Sequence, residues 1–352
     1  MTTPRISGDD LARAVAAGVI DQAAAGRLQD FLAAGAPEPG DSEDEHLRLI
    51  SGFGDIFVAI GLVLFLGALA FLTLRDTLLL PSMAVAVAAW GLAELFTRMR
   101  RQALPSILLL IAFAGAVFVG TVKLLDGTGS VAVSSGFGDA MSMAGAGLVT
   151  SLAVALHWWR FRVPVTVAAG CAAATALVVG LVSSIFPDIV TGLAGLIFLP
   201  IGLAVFALAM RFDTSDRYRR SRNTDIAFWL HALAAPMIVH PVMQNIMQGD
   251  TAGPVAAVLT FAIFALLSFV ALTVDRRAML VSSLIYLGYA IYSMLRSGDA
   301  VPSTSVVVLL VGAVVLGLSL AWRPLRAALL KALPAGIAAR VPPPHLSNAK
   351  SG

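Results

Sequence analysis

From Asp55 to Trp322 the chain is built from apolar runs of about twenty residues, each closed by a short charged or turn-forming patch. A helix rises about 1.5 Å per residue, so each run can cross roughly 30 Å of hydrocarbon. Ten spans follow: 55–74, 78–97, 103–122, 142–159, 163–186, 189–210, 226–247, 254–274, 278–296 and 304–322. Only Pro187 and Asp188 separate the fifth from the sixth, and that pair favours a turn. Of 352 residues 58% are hydrophobic and 13% charged, about half the charged share of a soluble domain. The expected fold is therefore all-α: a polytopic transmembrane helix bundle of about ten spans with a small N-terminal helical hairpin.

The hairpin occupies residues 1–34. Ser7 can cap a first helix and Gly18 can end it, while Asp21 can cap a second. Leu11, Val15, Ile20, Ala25, Leu28, Phe31 and Leu32 provide its apolar contacts, too few for a core of its own. No charged stretch followed by an apolar core and a cleavage site is present, so a removable leader is not expected. "GAPEPGDSEDEH", residues 35–46, has nothing to bury and opens a flexible acidic linker that reaches residue 54. The bundle then occupies 55–323 and a tail 324–352.

Charge sets the threading. With the N-terminus in the cytoplasm, the four internal connections hold twelve arginines, and the five external ones hold only Arg75, Lys123 and Arg296. That bias follows the positive-inside rule, and the basic tail then requires an even number of spans. Both termini are expected in the cytoplasm. The densest patch is "RFDTSDRYRRSRNTD", 211–225, read as the third internal loop. Arg217, Arg219, Arg220 and Arg222 would fix topology there and contact lipid headgroups. Asp213, Asp216 and Asp225 would partly neutralise it. The sequence pI of 9.3 thus reflects topology, and no nucleic-acid partner is expected.

Beside that loop stands a span with polar groups in it, "IAFWLHALAAPMIVHPVMQNIM". His231 and His240 are nine residues apart, on opposite faces of a helix, so they cannot share a metal ion on an unbroken one. Pro236 and Pro241 each lack an N–H and free a carbonyl four residues back, which within a bilayer needs another partner. His231, Pro236, His240, Pro241 and Gln244 are therefore the candidate lining of a polar cavity. The bland alternative is a bent, buried helix whose histidines bond to neighbouring helices, although no acidic partner for them is evident.

Other polar features read as structural. Glu94 and Arg98 are spaced for an ion pair along one helix. His157 adjoins Trp158 and Trp159 and is expected in an interfacial aromatic belt. Tyr286, Tyr289 and Tyr292 share a stripe. Small residues at 143–147 ("MAGAG"), Gly170, Gly192, Gly195, Gly202, Gly312 and Gly317 allow close helix approach. Cys171, the one cysteine, excludes an internal disulfide and any multi-cysteine metal site. The phosphate-loop, zinc-protease, nucleophile-elbow, haem and iron–sulfur spacings are absent. Catalysis would have to use scattered acids such as Asp55, Glu94 and Asp188, so no catalytic residue, metal or cofactor is assigned and an enzyme is not expected.

"DDLARAVAAGVIDQAAAGRLQDFL", "DTSDRYRRSRNTDIAFWLHALAAPMIVHP" and "LAWRPLR" together resemble a group of uncharacterised bacterial polytopic membrane proteins with a short N-terminal helical segment. The resemblance implies the bacterial inner membrane and this architecture, and it transfers no site residue. Two readings follow. One is a non-enzymatic support or regulatory protein whose residues 1–34 meet a cytoplasmic protein. The other is a secondary transporter, two five-span halves of opposite orientation with a site near 226–247. No substrate or oligomeric state follows from the sequence.

Overall fold

In a computed structural model of the chain, the residues described are 8–33, 53–74, 78–126, 137–216, 221–248, 254–277 and 304–334, with scattered positions at 279–292, 336 and 341. They form helices and no strand. The chain divides into two compact units, residues 1–46 with 345–352, and residues 47–344.

The first unit holds α1 (Gly8–Ala16) and α2 (Gln22–Ala33). Gly18 sits at φ +69°, a left-handed position that glycine takes without steric cost. Its N–H reaches the Val15 carbonyl and the Val19 N–H reaches Ala14, the paired bonds of a Schellman turn. The Asp21 carboxylate accepts the Ala24 N–H and caps α2. Leu11 and Ala25 are buried, while Val19 is 74% exposed. Ser7 lies outside the described residues.

The second unit is the helix bundle. Its helices are α3 (Phe53–Thr73), α4 (Leu79–Ala93), α5 (Ala103–Asp126), α6 (Phe137–Phe161), α7 (Val165–Ile185), α8 (Pro187–Ser215), α9 (Arg222–Gln248), α10 (Pro254–Val274) and α11 (Thr304–Ala332). Eight helices among the described residues are long and apolar enough to cross a bilayer, and Val258–Val274 within α10 is a shorter apolar segment. The chain is thus a multi-pass membrane protein with an all-α fold. The ninth expected span, 278–296, falls largely outside the described residues. Its described positions nevertheless contact α11 in antiparallel order: Leu280 groups with Trp322, and Leu287 and Ile291 group with Val307.

The expected division at Pro187 is present. Phe186 leaves the helical region at φ −131°, ψ 68°, and Pro187 opens α8, where its missing N–H costs nothing. Other boundaries differ. α8 continues five residues beyond the expected end of its span and α9 starts four residues early, at Arg222. Helix formation thus consumes most of the expected third loop. Asp213 and Asp225 are helical residues rather than loop residues; Ser221 Oγ caps α9 by accepting the Asn223 N–H at 3.2 Å, and the Asp216 carboxylate holds that cap by accepting from Ser221 N and Oγ (2.6 Å each) and Thr224 Oγ1 (3.0 Å). α11 likewise runs through Pro324 to Ala332, nine residues into the expected tail.

Close approach of backbones holds the middle of the bundle. A Cβ on Gly147 would lie 2.3 Å from the backbone nitrogen of Leu177, and one on Gly180 2.4 Å from that of Ala144. α6 and α7 therefore touch backbone to backbone at two levels. Gly202 meets Met237 in the same manner, joining α8 to α9. Gly312 and Gly317, expected to act likewise, have nothing among the described residues within 4 Å of such an added carbon.

Candidate functional site

Polar side chains concentrate at the end of the bundle that carries the arginines. On α8, Val205, Ala209 and Asp213 follow at four-residue steps along one buried face, and Asp213 is 4% exposed. An isolated carboxylate there would be very costly, so its partners decide whether the helix end is tenable. Arg276, itself buried, supplies two contacts: Nη2 to Oδ1, and Nε to Oδ2 at 3.3 Å. His231 of α9 supplies another, Nε2 to Oδ2 at 2.8 Å. Arg276 Nη2 also donates to the Thr224 carbonyl at 3.2 Å. One carboxylate thus gathers α8, α9 and the turn after α10.

A carboxylate only accepts, so the His231 proton toward it resides on Nε2. Nδ1 has no hydrogen-bond partner among the described residues. Phe206 covers the ring at 5.3 Å. Asp213 is the acidic partner that sequence reasoning did not find for His231. The signal was the four-residue row from Val205, which becomes visible only if the helix is carried past Met210.

A second cluster adjoins the first. Asp275, one residue before Arg276, is at φ 60° and closes α10. Its Oδ1 accepts the Trp322 indole N–H at 2.9 Å and lies 3.5 Å from Nε of Arg326. The Arg277 guanidinium stands over the Trp322 ring at 5.1 Å. Three consecutive residues, Asp275 to Arg277, therefore project charge onto α8, α9 and α11.

A third cluster joins α4 to α6 through a π-helical turn, Glu94–Met99. Glu94 Oε2 takes Arg98 at 3.3 Å, the expected pair, and Arg160 of α6 at 2.8 Å. His157 does not belong to a lipid-facing belt. It is buried against Trp90, Phe113 and Phe161, with ring centroids 4.6–5.8 Å away. Phe161 is four residues later on the same helical face, which turns His157 inward, while Trp159 points out at 72% exposure.

The five candidate cavity residues of α9 differ in exposure. His231 and Pro241 are buried, Pro236 and His240 are exposed, and Gln244 is half-buried. The opposite placement of the two histidines agrees with their nine-residue spacing. His240 Nδ1 contacts the Tyr286 hydroxyl. Arg222 begins α9 and is exposed, whereas Arg217, Arg219 and Arg220 lie outside the described residues, as does the side chain of Asp188. Cys171 is half-buried among apolar side chains.

No protein-family profile, curated protein or solved structure matches the chain. Function must be argued from the geometry alone. Among the described residues no three His, Cys, Asp or Glu side chains converge as metal ligands do. A cavity of about 190 Å3 lies elsewhere, between α10, the segment after it and α11. Phe264, Leu284, Val315, Ser319, Trp322 and Arg277 are on its lining among the described residues.

Proposed function

We propose that the chain is a non-enzymatic support or regulatory protein of the bacterial inner membrane that meets a cytoplasmic partner through its N-terminal hairpin. The observation that carries this reading is the compactness of the hairpin apart from the bundle. α1 and α2 are closed by a Schellman turn and an aspartate cap, yet the pair buries little and leaves Val19 open. A helical pair of this size gains its stability from something it docks against. The buried carboxylates Asp213 and Asp275 are each met by an arginine, which suits a framework keeping one arrangement.

The threading in this proposal has both termini inside. The arginine count supports it. So does the contact of Asp275 with Arg326, which sets the ends of α10 and α11 on one face. The chain between them must then recross the membrane, which favours ten crossings.

A photo-crosslinking amino acid at Val19 of the full chain tests the partner. The expected result is one discrete adduct that disappears when Leu11→Asp opens the hairpin, with the bundle's melting temperature unchanged. Absence of any adduct specific to Val19 defeats the proposal.

Secondary transport is the second reading, favoured by Pro236 and Pro241 within a membrane-spanning helix and by the exposure of His240 beside Tyr286. It requires water at this face. His240→Cys and Gln244→Cys in a Cys171→Ala background should then react with a membrane-impermeant thiol reagent, and failure of both to label removes the reading.

A further inference from the structure

Beyond the role of the hairpin, the turns that follow α4 and α6 form one basic surface. The two turns are neighbours. Glu94 Oε2 meets both Arg98 and Arg160, and Val163 packs with Val165 and with Ile107, one turn into α5. The segments 94–104 and 156–164 together hold five arginines and one acid, Glu94. Two of the five engage that acid. The others, Arg100, Arg101 and Arg162, are exposed and have no side-chain partner among the described residues. Backbone groups close the helix ends instead: the N–H of Arg100 reaches the Leu95 carbonyl, that of Gln102 reaches Phe96, and that of Arg162 reaches Trp158, each at 3.0 Å. The three guanidiniums are therefore not needed as caps. Arg101 and Arg162 even sit at φ 53° and 54°, where glycine would carry no strain.

We infer that this surface binds the headgroups of anionic phospholipids in the leaflet at that end of the bundle, through Arg100, Arg101 and Arg162. Charge and level select the occupant. The planar donors of arginine suit phosphate oxygens. The same helix ends carry exposed apolar side chains, Leu95 and Met99 just before Arg100, and Trp159 three residues before Arg162. On a membrane-spanning helix such side chains meet lipid, and an exposed tryptophan beside arginines marks the headgroup level. The ligand must then offer its anion at the edge of the hydrocarbon, which a phospholipid does and a soluble phosphate does not. A zwitterionic lipid brings its own cation toward the arginines, so an anionic one is preferred.

The test places the full chain in phosphatidylcholine nanodiscs doped with phosphatidylglycerol or phosphatidylcholine, each carrying the same diazirine near the headgroup. After photolysis, adducts are mapped by peptide mass spectrometry. Phosphatidylglycerol should label residues 95–102 and 156–162 at least about fivefold more than phosphatidylcholine, the value of one interfacial cationic contact. Ile185 and Phe186, exposed at the opposite end of α7 in a stretch with no basic residue from 163 to 210, should show no such preference. Arg100→Gln, Arg101→Asn and Arg162→Asn combined should abolish it, asparagine being tolerant of the left-handed conformation. If that variant melts below the parent, Arg100→Gln alone takes its place and should lower the preference at least about twofold. The inference is overturned if both lipids label these turns equally, or if the substitutions leave the preference intact. It is also overturned if Ile185 and Phe186 share the preference, or if glycerol 3-phosphate removes it, which would assign the surface to a soluble phosphate.

Discussion

Asp275 and Arg276 are adjacent in the chain, yet their charges serve different helices: Asp275 faces Arg326 and Trp322 of α11, and Arg276 faces Asp213 of α8. The turn after α10 is therefore a junction. In a bilayer the lipid tails are as apolar as a leucine, so burying apolar surface does little to choose one helix arrangement over another. Ion pairs and backbone contacts make that choice here, and the junction concentrates several of them in a few residues.

The Asp213–Arg276 pair is the first to test. Removing one partner leaves the other charge buried, so Asp213→Leu or Arg276→Met alone should each cost about 3–5 kcal/mol. Replacing both at once, Asp213→Leu with Arg276→Met, should cost well below the sum of the single changes, because no uncompensated charge remains. Unfolding in mixed micelles by titration with a denaturing detergent measures all three. Strict additivity would show that the two side chains are not coupled.

Asp275 carries both an unusual backbone conformation and two side-chain contacts. Asparagine tolerates φ 60° and keeps an acceptor for the Trp322 indole while losing the charge opposite Arg326. Asp275→Asn should therefore cost about 1–2 kcal/mol. Asp275→Ala also loses the indole acceptor and adds backbone strain, so it should cost about 1–3 kcal/mol more. The same micelle titration ranks the two, and equal losses would rule out this division of roles.

Glycine substitutions separate packed from open positions. Gly147→Ala and Gly180→Ala drive a methyl into the backbone of the facing helix, and each should destabilise by about 1–3 kcal/mol or more. Gly312→Ala meets open space and gains helix propensity, so it should be neutral or slightly stabilising. Thermal melts of the purified protein distinguish these outcomes.

Elements that depend on local chemistry are legible in this sequence, and those that depend on which helices meet are not. Gly18, Asp21 and Pro187 mark a helix end, a cap and a break where the structure has them, because each acts on its own neighbours in the chain. The apolar runs show that there are membrane helices, since length and composition suffice for that. The partner of His231 is different. Asp213 sits among arginines in a stretch whose charge density resembles a loop, and only its register with Val205 and Ala209 shows the buried face. Arg276 and Arg160 count toward the arginine bias, yet both also serve as internal counter-ions, a role that needs a second helix to become visible. His157 beside two tryptophans resembles a belt because the periodicity that brings Phe161 onto its face is masked by aromatic neighbours. Gly180 stands alone in "VVGLV", with no small-residue motif to signal that another backbone passes within contact.

The threading yields the last prediction. Ion pairs tie the end of α4 to the end of α6 through Glu94 and Arg160, the end of α8 to the turn after α10 through Asp213 and Arg276, and that turn to the end of α11 through Asp275 and Arg326. Side chains that touch must lie on one face of the membrane, so these contacts constrain topology without reference to the arginine count. Reporter fusions or accessible cysteines at 101, 162, 221 and 334 should all report one side. Positions 186 and 298 should report the other, because the chain must leave the junction at 275 and return to it by Arg326. The arginines add the identity of the first side, which should be the cytoplasm. A reporter at 298 on the same side as one at 221 would break the pairing of Asp275 with Arg326, and with it the junction that ties α11 to the bundle.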